Sequence, residues 1–150
     1  MRRNTVTDKN YRFYGWEYGD LKADDKDVFD GDLRKMYDIL SECWKADTCA
    51  PRMRADWAED NMTLGQCSIT AFLIQDIFGG EVYGVPLGDG NFHCFNVIKD
   101  KIYDLTSEQF DHLLDYTLDY PQFRETHFAK KEKEERYILL KQRFKEKQKS

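Results

Sequence analysis

The segment Gly65-Gln66-Cys67-Ser68 places a cysteine at the point where a loop becomes a helix. The run CSITAFLIQDIF, which begins at Cys67, carries apolar residues along one face of a helix with a period of about 3.6 residues. These residues are Ile69, Phe72, Leu73 and Ile77. Because the Gly79-Gly80 pair is a helix-stop signal, we predict that the helix starts near Gln66 and ends before Gly79.

The position of Cys67 in the first turn of this helix favours an ionised thiol. Backbone N–H groups in a first turn have no partner within the helix, and the helix dipole adds partial positive charge there. Cysteine pKa values at such sites fall to about 3.5–7.5 when a protonated histidine is also near. The alternative is that Cys67 is a small buried residue of a core helix. The choice between a reactive and a structural cysteine therefore depends on the other residues of the candidate site.

Length and composition predict one globular domain over residues 1–150, with residues 1–10 as a loose terminus. The helices and strands predicted below make it an α+β domain. The chain has 150 residues, of which 41% are hydrophobic and 15% aromatic, enough to bury a core. No segment approaches the roughly 18 apolar residues of a membrane helix, and no apolar signal region follows the two N-terminal arginines. We therefore expect a cytoplasmic protein whose thiols, at positions 43, 49, 67 and 94, are reduced.

The net charge of −5 is distributed unevenly along the chain. The segment from Arg124 to Ser150 has ten Lys/Arg and five Asp/Glu, so it carries +5 and the rest carries −10. Its basic residues alternate with glutamates, a pattern typical of a solvated helix face. We therefore do not expect this protein to bind nucleic acid.

Helical periodicity predicts two helices besides the cysteine helix. The first is expected to be capped by Asp30 and has apolar residues at helical spacing, namely Leu33, Met36, Tyr37, Leu40 and Trp44. The last should run from about Ala129 to Lys147, with an apolar stripe of Tyr137, Leu140 and Phe144, widened by Ile138 and Leu139. Residues 11–20 are aromatic without a clear period and predict an irregular arm or short strand.

A small antiparallel meander is predicted after the cysteine helix. Its strands are residues 81–87, 92–98 and 102–105, with turns at Gly88-Asp89-Gly90 and Asp100-Lys101. Thr106 is then expected to cap another helix, with Gln109 at the capping-box position and Phe110, Leu113 and Leu114 on its apolar face. The long loop at 46–64 is of a length that is often functional.

Three residues with complementary chemistry occur on neighbouring predicted elements: Cys67 on the helix, His93 on the second strand and Asp104 on the third. A thiol nucleophile needs a base that takes its proton, and the base needs a third group that fixes its ring. The combination predicts nucleophilic catalysis. The alternative for His93 is a histidine with satisfied hydrogen bonds at the edge of the core.

The hairpin register decides whether Asp104 can reach His93. A two-residue turn at Asp100-Lys101 would set them roughly 13 Å apart along the ladder. A four-residue loop from Ile98 to Lys101 would instead place Asp104 opposite Phe95 and diagonal to His93, at about 7–8 Å. We favour Asp104 as the orienting residue. Glu108 is the alternative, and Asn96 on the opposite face is less favoured.

The order cysteine helix, histidine strand and acid resembles the papain-like cysteine peptidase superfamily, which broadly includes transglutaminase-like and NlpC/P60-like enzymes. In that superfamily the nucleophile opens a helix that packs on a meander, so the resemblance implies a papain-like core. Gly65 stands two residues before the cysteine, as in papain-like peptidases. Asn61 stands six before it, where those enzymes carry an oxyanion-binding glutamine, so Asn61 and Gln66 are the oxyanion candidates.

The chain also resembles the YunG-like family of small uncharacterised bacterial proteins. The segments that carry this resemblance lie between about residues 44 and 144, and they are GQCSITAFLIQDIFGGEVYG, FHCFNVI, YDLTSEQF and RYILLKQRF. The family implies no activity, so the functional expectation depends on the superfamily analogy.

The sequence therefore predicts a cysteine-nucleophile hydrolase or acyltransferase that acts on an amide or related acyl bond through a thioester. Its partner would be a small-molecule, peptide or protein substrate, with no cofactor and no membrane. A metal site formed by Cys67, His93 and Cys94 is disfavoured, because adjacent strand residues point to opposite faces and no fourth ligand is evident. A non-catalytic peptide- or protein-binding module of papain-like fold is the alternative.

Overall fold

The computed structural model describes residues 10–149, so the loose terminus predicted for 1–10 lies, except for residue 10, outside the described residues. This part of the chain has an α+β fold, as predicted, with a three-stranded antiparallel sheet in the order β1-β2-β3. Its helices and strands are, in chain order, α1 (Leu33–Leu40), α2 (Cys67–Phe78), β1 (Glu81–Pro86), β2 (Phe92–Ile98), β3 (Lys101–Tyr103), α3 (Arg124–Phe128) and α4 (Lys131–Gln148).

Helix α2 begins at Cys67 and is the central element of the core. It packs on β2 and on α4, so apolar side chains are buried on several of its faces. Gly79 and Gly80 end it with positive φ angles of 81° and 78°. At Gly80 a Cβ would lie 2.3 Å from the Val97 carbonyl oxygen, so only glycine fits this close approach to β2.

The turn between β2 and β3 differs by one residue from the prediction. Lys99 and Asp100, with φ angles of 50° and 68°, form the two-residue turn, and Ile98 pairs with Lys101. Two consecutive left-handed residues match the strand twist of a tight hairpin, which the predicted Asp100-Lys101 turn did not take into account. When this register is extended, Asp104 lies opposite Phe95, which is the arrangement that the sequence required for a contact with His93.

The residue that caps α1 is Asp32 and not the predicted Asp30. The Asp32 side chain accepts a hydrogen bond of 2.8 Å from the Lys35 backbone N–H, because its extended backbone directs the carboxylate at the first turn. The helix also ends at Leu40, earlier than predicted. Trp44 lies beyond it but is buried, and its indole N–H donates to the Thr70 hydroxyl at 2.9 Å.

The helix predicted after Thr106 is absent from the described residues. Only the 3₁₀ turn Ser107–Gln109 forms, and Leu113 is 76% exposed. The physical reason is that the Thr106 hydroxyl donates to Asp104 at 3.2 Å and does not cap a helix, while the Gln109 amide donates to the Thr63 and Thr106 carbonyls. The segment that follows therefore has an irregular course.

The two ends of the described chain lie against the core. The aromatic arm at 11–20 is irregular, as predicted, and forms one bridge in which Asp104 N–H donates to the Tyr14 carbonyl at 3.0 Å. The predicted last helix is confirmed as α4, which begins at Lys131 and ends at Gln148, whereas the short helix α3 before it was not predicted. Tyr137, Leu140 and Phe144 of α4 are buried, whereas Ile138 is 54% exposed and does not widen the apolar stripe.

No helix within residues 10–149 is long and apolar enough to cross a membrane. The predicted loop at 46–64 contains the 3₁₀ helices Ala46–Thr48 and Pro51–Asp56. The first of these is connected to α4, since the buried Arg136 guanidinium donates to the Thr48 carbonyl at 3.0 Å. The loop is therefore held in place by the last helix.

We predict that Leu140→Ala lowers the free energy of unfolding by about 2–5 kcal/mol, because it leaves a cavity at a fully buried position of α4. Ile138→Ala on the same helix is the matched control and should change it by less than about 0.5 kcal/mol, since that side chain is largely exposed. Urea denaturation followed by circular dichroism measures both. Equal losses in the two variants would show that α4 is not docked through this stripe.

Candidate active site

Cys67 and His93 line the same cleft, which has a volume of about 610 Å³. Cys67 reaches it from the first turn of α2, and His93 from the start of β2. The residue Cys67 is partly exposed, and its Sγ lies 3.9 Å from the Phe92 carbonyl oxygen. The helix-sheet contact that forms the core thus also brings the nucleophile candidate to the histidine strand.

His93 is held by a hydrogen bond of 2.6 Å between its Nε2 and Asp104 Oδ2, and both side chains are 1% exposed. The ring of Phe110 packs against the imidazole at 4.8 Å, nearly perpendicular to it. Since Nε2 is occupied by Asp104, Nδ1 is the nitrogen left for the Cys67 thiol. This assignment makes Asp104 the residue that fixes the ring orientation.

The Asp104 carboxylate accepts three further hydrogen bonds. The Tyr116 hydroxyl donates to Oδ2 at 2.7 Å, and the backbone N–H and hydroxyl of Thr106 donate to Oδ1 at 3.2 Å each. Burial, together with the charge of Asp104, raises the pKa of Tyr116 well above its usual value, so the phenol stays a donor. The carboxylate is therefore fixed from both of its oxygens.

The pKa of Cys67 lies well below its usual value because of hydrogen bonding from the Cys94 thiol and the charge and hydrogen bonding of His93, which together outweigh burial. Burial alone would lower the pKa of His93, but the negative charges of Asp104 and Cys67 raise it to about 10. Cys94 itself is buried, and its pKa is raised well above the usual value, so it remains a donor. The two shifts have opposite directions, and both favour a thiolate at Cys67 together with an imidazolium at His93.

The structure does not bring the other predicted site residues to this thiol. The Gln66 side chain is buried and donates to the Lys45 carbonyl at 3.0 Å, and Asn61 lies in a turn with Ala58; neither lines the cleft. Glu108 is exposed and accepts a hydrogen bond from the Tyr37 hydroxyl. The oxyanion roles of Asn61 and Gln66 and the orienting role of Glu108 therefore gain no geometric support.

Asn96, the least favoured orienting residue, lies on the helix-facing side of β2. Its amide donates to the Ala71 carbonyl of α2 at 2.9 Å, and it is fully buried. It therefore attaches the sheet to the helix and takes no part in holding His93.

Tyr116 and Cys94 are site residues that the sequence analysis missed. Tyr116 lies in an irregular segment, where no periodicity indicates which residues point inward. Cys94 was set aside because strand alternation directs it away from His93. The only available signal was its position beside His93 on a strand opposite the cysteine helix.

Comparisons with known proteins agree with the resemblance noted in the sequence. The family model described as "YunG protein" matches residues 32–149, a segment that includes Cys67, His93 and Asp104. The chain belongs to the YunG family. One relative, "Uncharacterized protein YunG" of Bacillus subtilis (strain 168), is 35% identical over 106 residues, which is 71% of this chain and 85% of that protein. No solved structure matches this YunG family member.

We predict that Cys67 is alkylated by iodoacetamide at about pH 6 at least roughly 100-fold faster than the other thiols, since each pKa unit changes the thiolate fraction about tenfold. Burial raises the pKa of Cys43 to about 11 and also raises that of Cys49. Peptide mass spectrometry of the modified protein measures the four rates. Similar rates at all four positions would contradict the thiolate assignment.

The His93→Ala variant should raise the pKa of Cys67, because the imidazolium stabilises the thiolate and its removal favours the neutral thiol. Titration of thiolate absorbance against pH, with a Cys67→Ser blank subtracted, gives the pKa directly. His112→Ala is the matched control, because this histidine is exposed and lies outside the cleft. If His93→Ala and His112→Ala gave the same curve as the unmodified protein, Cys67 and His93 would not be coupled.

Asp104→Asn should lower the pKa of His93 from about 10, because the imidazolium loses its buried counter-charge. It should also raise the pKa of Cys67, by less than His93→Ala does. Glu108→Gln makes the same carboxylate-to-amide change at the exposed position and should leave both values unchanged. NMR titration of the His93 ring measures the first pKa; an effect with Glu108→Gln alone would transfer the orienting role to Glu108.

Proposed function

We propose that this chain is a cysteine-nucleophile hydrolase or acyltransferase that acts on an amide or related acyl bond through a thioester intermediate. The observation that carries the proposal is that Cys67 and His93 line one open cleft, while the buried Asp104 holds the histidine at 2.6 Å. A thiolate, a base in contact with it and a fixed orienting group are the minimum that this chemistry needs.

In the first half of the reaction, Cys67 Sγ attacks the acyl carbon and forms the carbon-sulfur bond. His93 is the general acid: it gives its proton to the leaving amine as the carbon-nitrogen bond breaks. In the second half, neutral His93 takes a proton from water or from an acceptor amine, which attacks the thioester. The products are a carboxylic acid or a new amide, and the thiolate-imidazolium pair is restored.

The first turn of α2 is the best source of oxyanion donors. The N-cap residue, Gln66, makes no side-chain cap bond, so its side chain does not occupy the backbone N–H groups of the first turn, which begins at Cys67. A backbone N–H next to the nucleophile would face negative charge that develops on the acyl oxygen, with the helix dipole favouring that charge. This donor replaces the side-chain candidates Asn61 and Gln66.

A papain-like core is part of this proposal. It is supported by a nucleophile that opens a helix, by the packing of that helix on an antiparallel meander, and by a histidine on β2 and an acid directly after β3. This combination also supports catalysis over a non-catalytic peptide- or protein-binding module, since such a module has no need of a coupled thiolate and imidazolium.

The test is trapping of an acyl-enzyme with p-nitrophenyl acetate, followed by mass spectrometry after an acid quench. We expect a burst of nitrophenolate and an acetyl group on Cys67 that hydroxylamine removes. Both should be lost in Cys67→Ala, and acylation should fall about 10²–10⁴-fold in His93→Ala. Similar acetylation of all four cysteines, with the other three acetylated to the same extent in Cys67→Ala, would instead support the binding module.

A further inference from the structure

The wall of the cleft to which the start of α4 contributes is positively charged, although the chain carries a net charge of −5. We call this surface the cationic wall; it consists of Arg52, Lys130, Lys133 and Arg136. Among residues 10–149, Glu132 is the one acidic residue that lines the cleft, and it forms an ion pair with Arg136. The cleft as a whole therefore carries an excess of positive charge within an acidic molecule.

Lys133 is the best-positioned cation of this wall. Its Nζ lies 2.9 Å from His127 Nδ1, and His127 Nε2 lies 2.8 Å from Gln122 Oε1. Burial and the charge of Lys133 lower the pKa of His127 to about 4, so the ring is neutral and Nδ1 accepts from the ammonium. His127 Nε2–H then donates to Gln122, and this chain of contacts holds Lys133 in one orientation.

The contact with His127 uses only one of the three N–H donors of Lys133. The ammonium is half-buried, and within residues 10–149 no carboxylate forms an ion pair with it. Arg136, by contrast, is already engaged by Glu132 and the Thr48 carbonyl, while Arg52 and Lys130 are exposed at the rim. Lys133 can therefore donate further hydrogen bonds to a ligand in the cleft that contains Cys67.

We propose that the cationic wall binds an oxyanion, either a carboxylate or a phosphate, of the acyl substrate, with Lys133 as its central donor. The statement that this ligand is the substrate rests on the proposed function, because Lys133 and Cys67 line one cleft. The substrate class is then an anionic acyl compound. A charge-assisted hydrogen bond from a partly buried ammonium also selects against a neutral analogue.

A second role for Lys133, direct stabilisation of the Cys67 thiolate, needs to be separated from anion binding. Burial lowers the pKa of Lys133, and the charges of Cys94 and Cys67 act against this effect, so Lys133 and Cys67 do interact. Iodoacetate and iodoacetamide distinguish the two roles, because they alkylate the same sulfur but only iodoacetate is negatively charged. Their rate ratio cancels any change in the reactivity of the thiolate itself.

The experiment measures alkylation of Cys67 by both reagents in the full-length chain. We expect the iodoacetate-to-iodoacetamide ratio to exceed that of glutathione and to fall about tenfold in Lys133→Met, the loss typical of one hydrogen bond to a charged group. Lys131→Met is the matched control: it removes the same charge from an exposed site on α4 outside the cleft and should keep the ratio. An unchanged ratio in Lys133→Met would overturn the proposal.

Protection by anions distinguishes the two oxyanion sources. Glutarate and inorganic phosphate should slow alkylation by iodoacetamide more than sodium chloride of equal ionic strength does, and Lys133→Met should abolish the difference. Stronger protection by glutarate assigns a carboxylate, and stronger protection by phosphate assigns a phosphate. Protection by neither beyond that of chloride would overturn the proposal.

These results are independent of the acyl-transfer reaction. If Cys67 alkylates no faster than Cys49 but the ratio and the protection still depend on Lys133, the anion site stands and the proposed function fails. If Cys67 is hyper-reactive but neither measurement depends on Lys133, the nucleophile stands and the anion site fails.

Discussion

The hydrogen bond between His93 Nε2 and Asp104 Oδ2 is the contact on which the candidate site depends. Both side chains are buried, and burial of two ionised groups costs free energy that only good geometry and further hydrogen bonds can offset. Tyr116 and Thr106 supply those further bonds to Asp104. Removal of either donor would therefore leave the buried charge of Asp104 less well compensated. For this reason the segments that carry Tyr116 and Thr106 are part of the site.

Two segments without regular secondary structure hold this contact in place. The Tyr14 carbonyl accepts the Asp104 backbone N–H at 3.0 Å, and the Tyr14 ring packs on Tyr116 at 4.3 Å. The aromatic arm thus supports the carboxylate both through its backbone and through the phenol that binds it. On the other side of the cleft, Arg136 ties α4 to the loop near Thr48. The irregular parts of the chain position the chemistry, and the helix and sheet supply the frame.

Elements defined by local periodicity could be predicted from the sequence, and those defined by tertiary contacts could not. Helix α2 and its glycine stop follow from the apolar pattern after Cys67. The position of the turn between β2 and β3 does not follow from the sequence, because Lys99 and Asp100 both adopt a left-handed conformation that their residue types do not require. The helix expected after Thr106 failed for a related reason: the hydroxyl that would cap it hydrogen-bonds to Asp104. His127 and Lys133 lie on different helices, and their pairing leaves no pattern in the sequence.

The Cys67–His93 pair stays electrically neutral as a whole through the proposed reaction, so it does not need Lys133 as a counter-charge. In the proposed resting site the thiolate of Cys67 is balanced by the imidazolium of His93, and Lys133 lines the same cleft. Acylation removes the thiolate charge, and the proton that His93 gives to the leaving group removes the imidazolium charge at the same step. The charge of Lys133 is unchanged before, during and after this exchange. A cation that the reacting pair neither needs nor consumes is suited to a fixed anion, and in this cleft that anion would belong to the substrate.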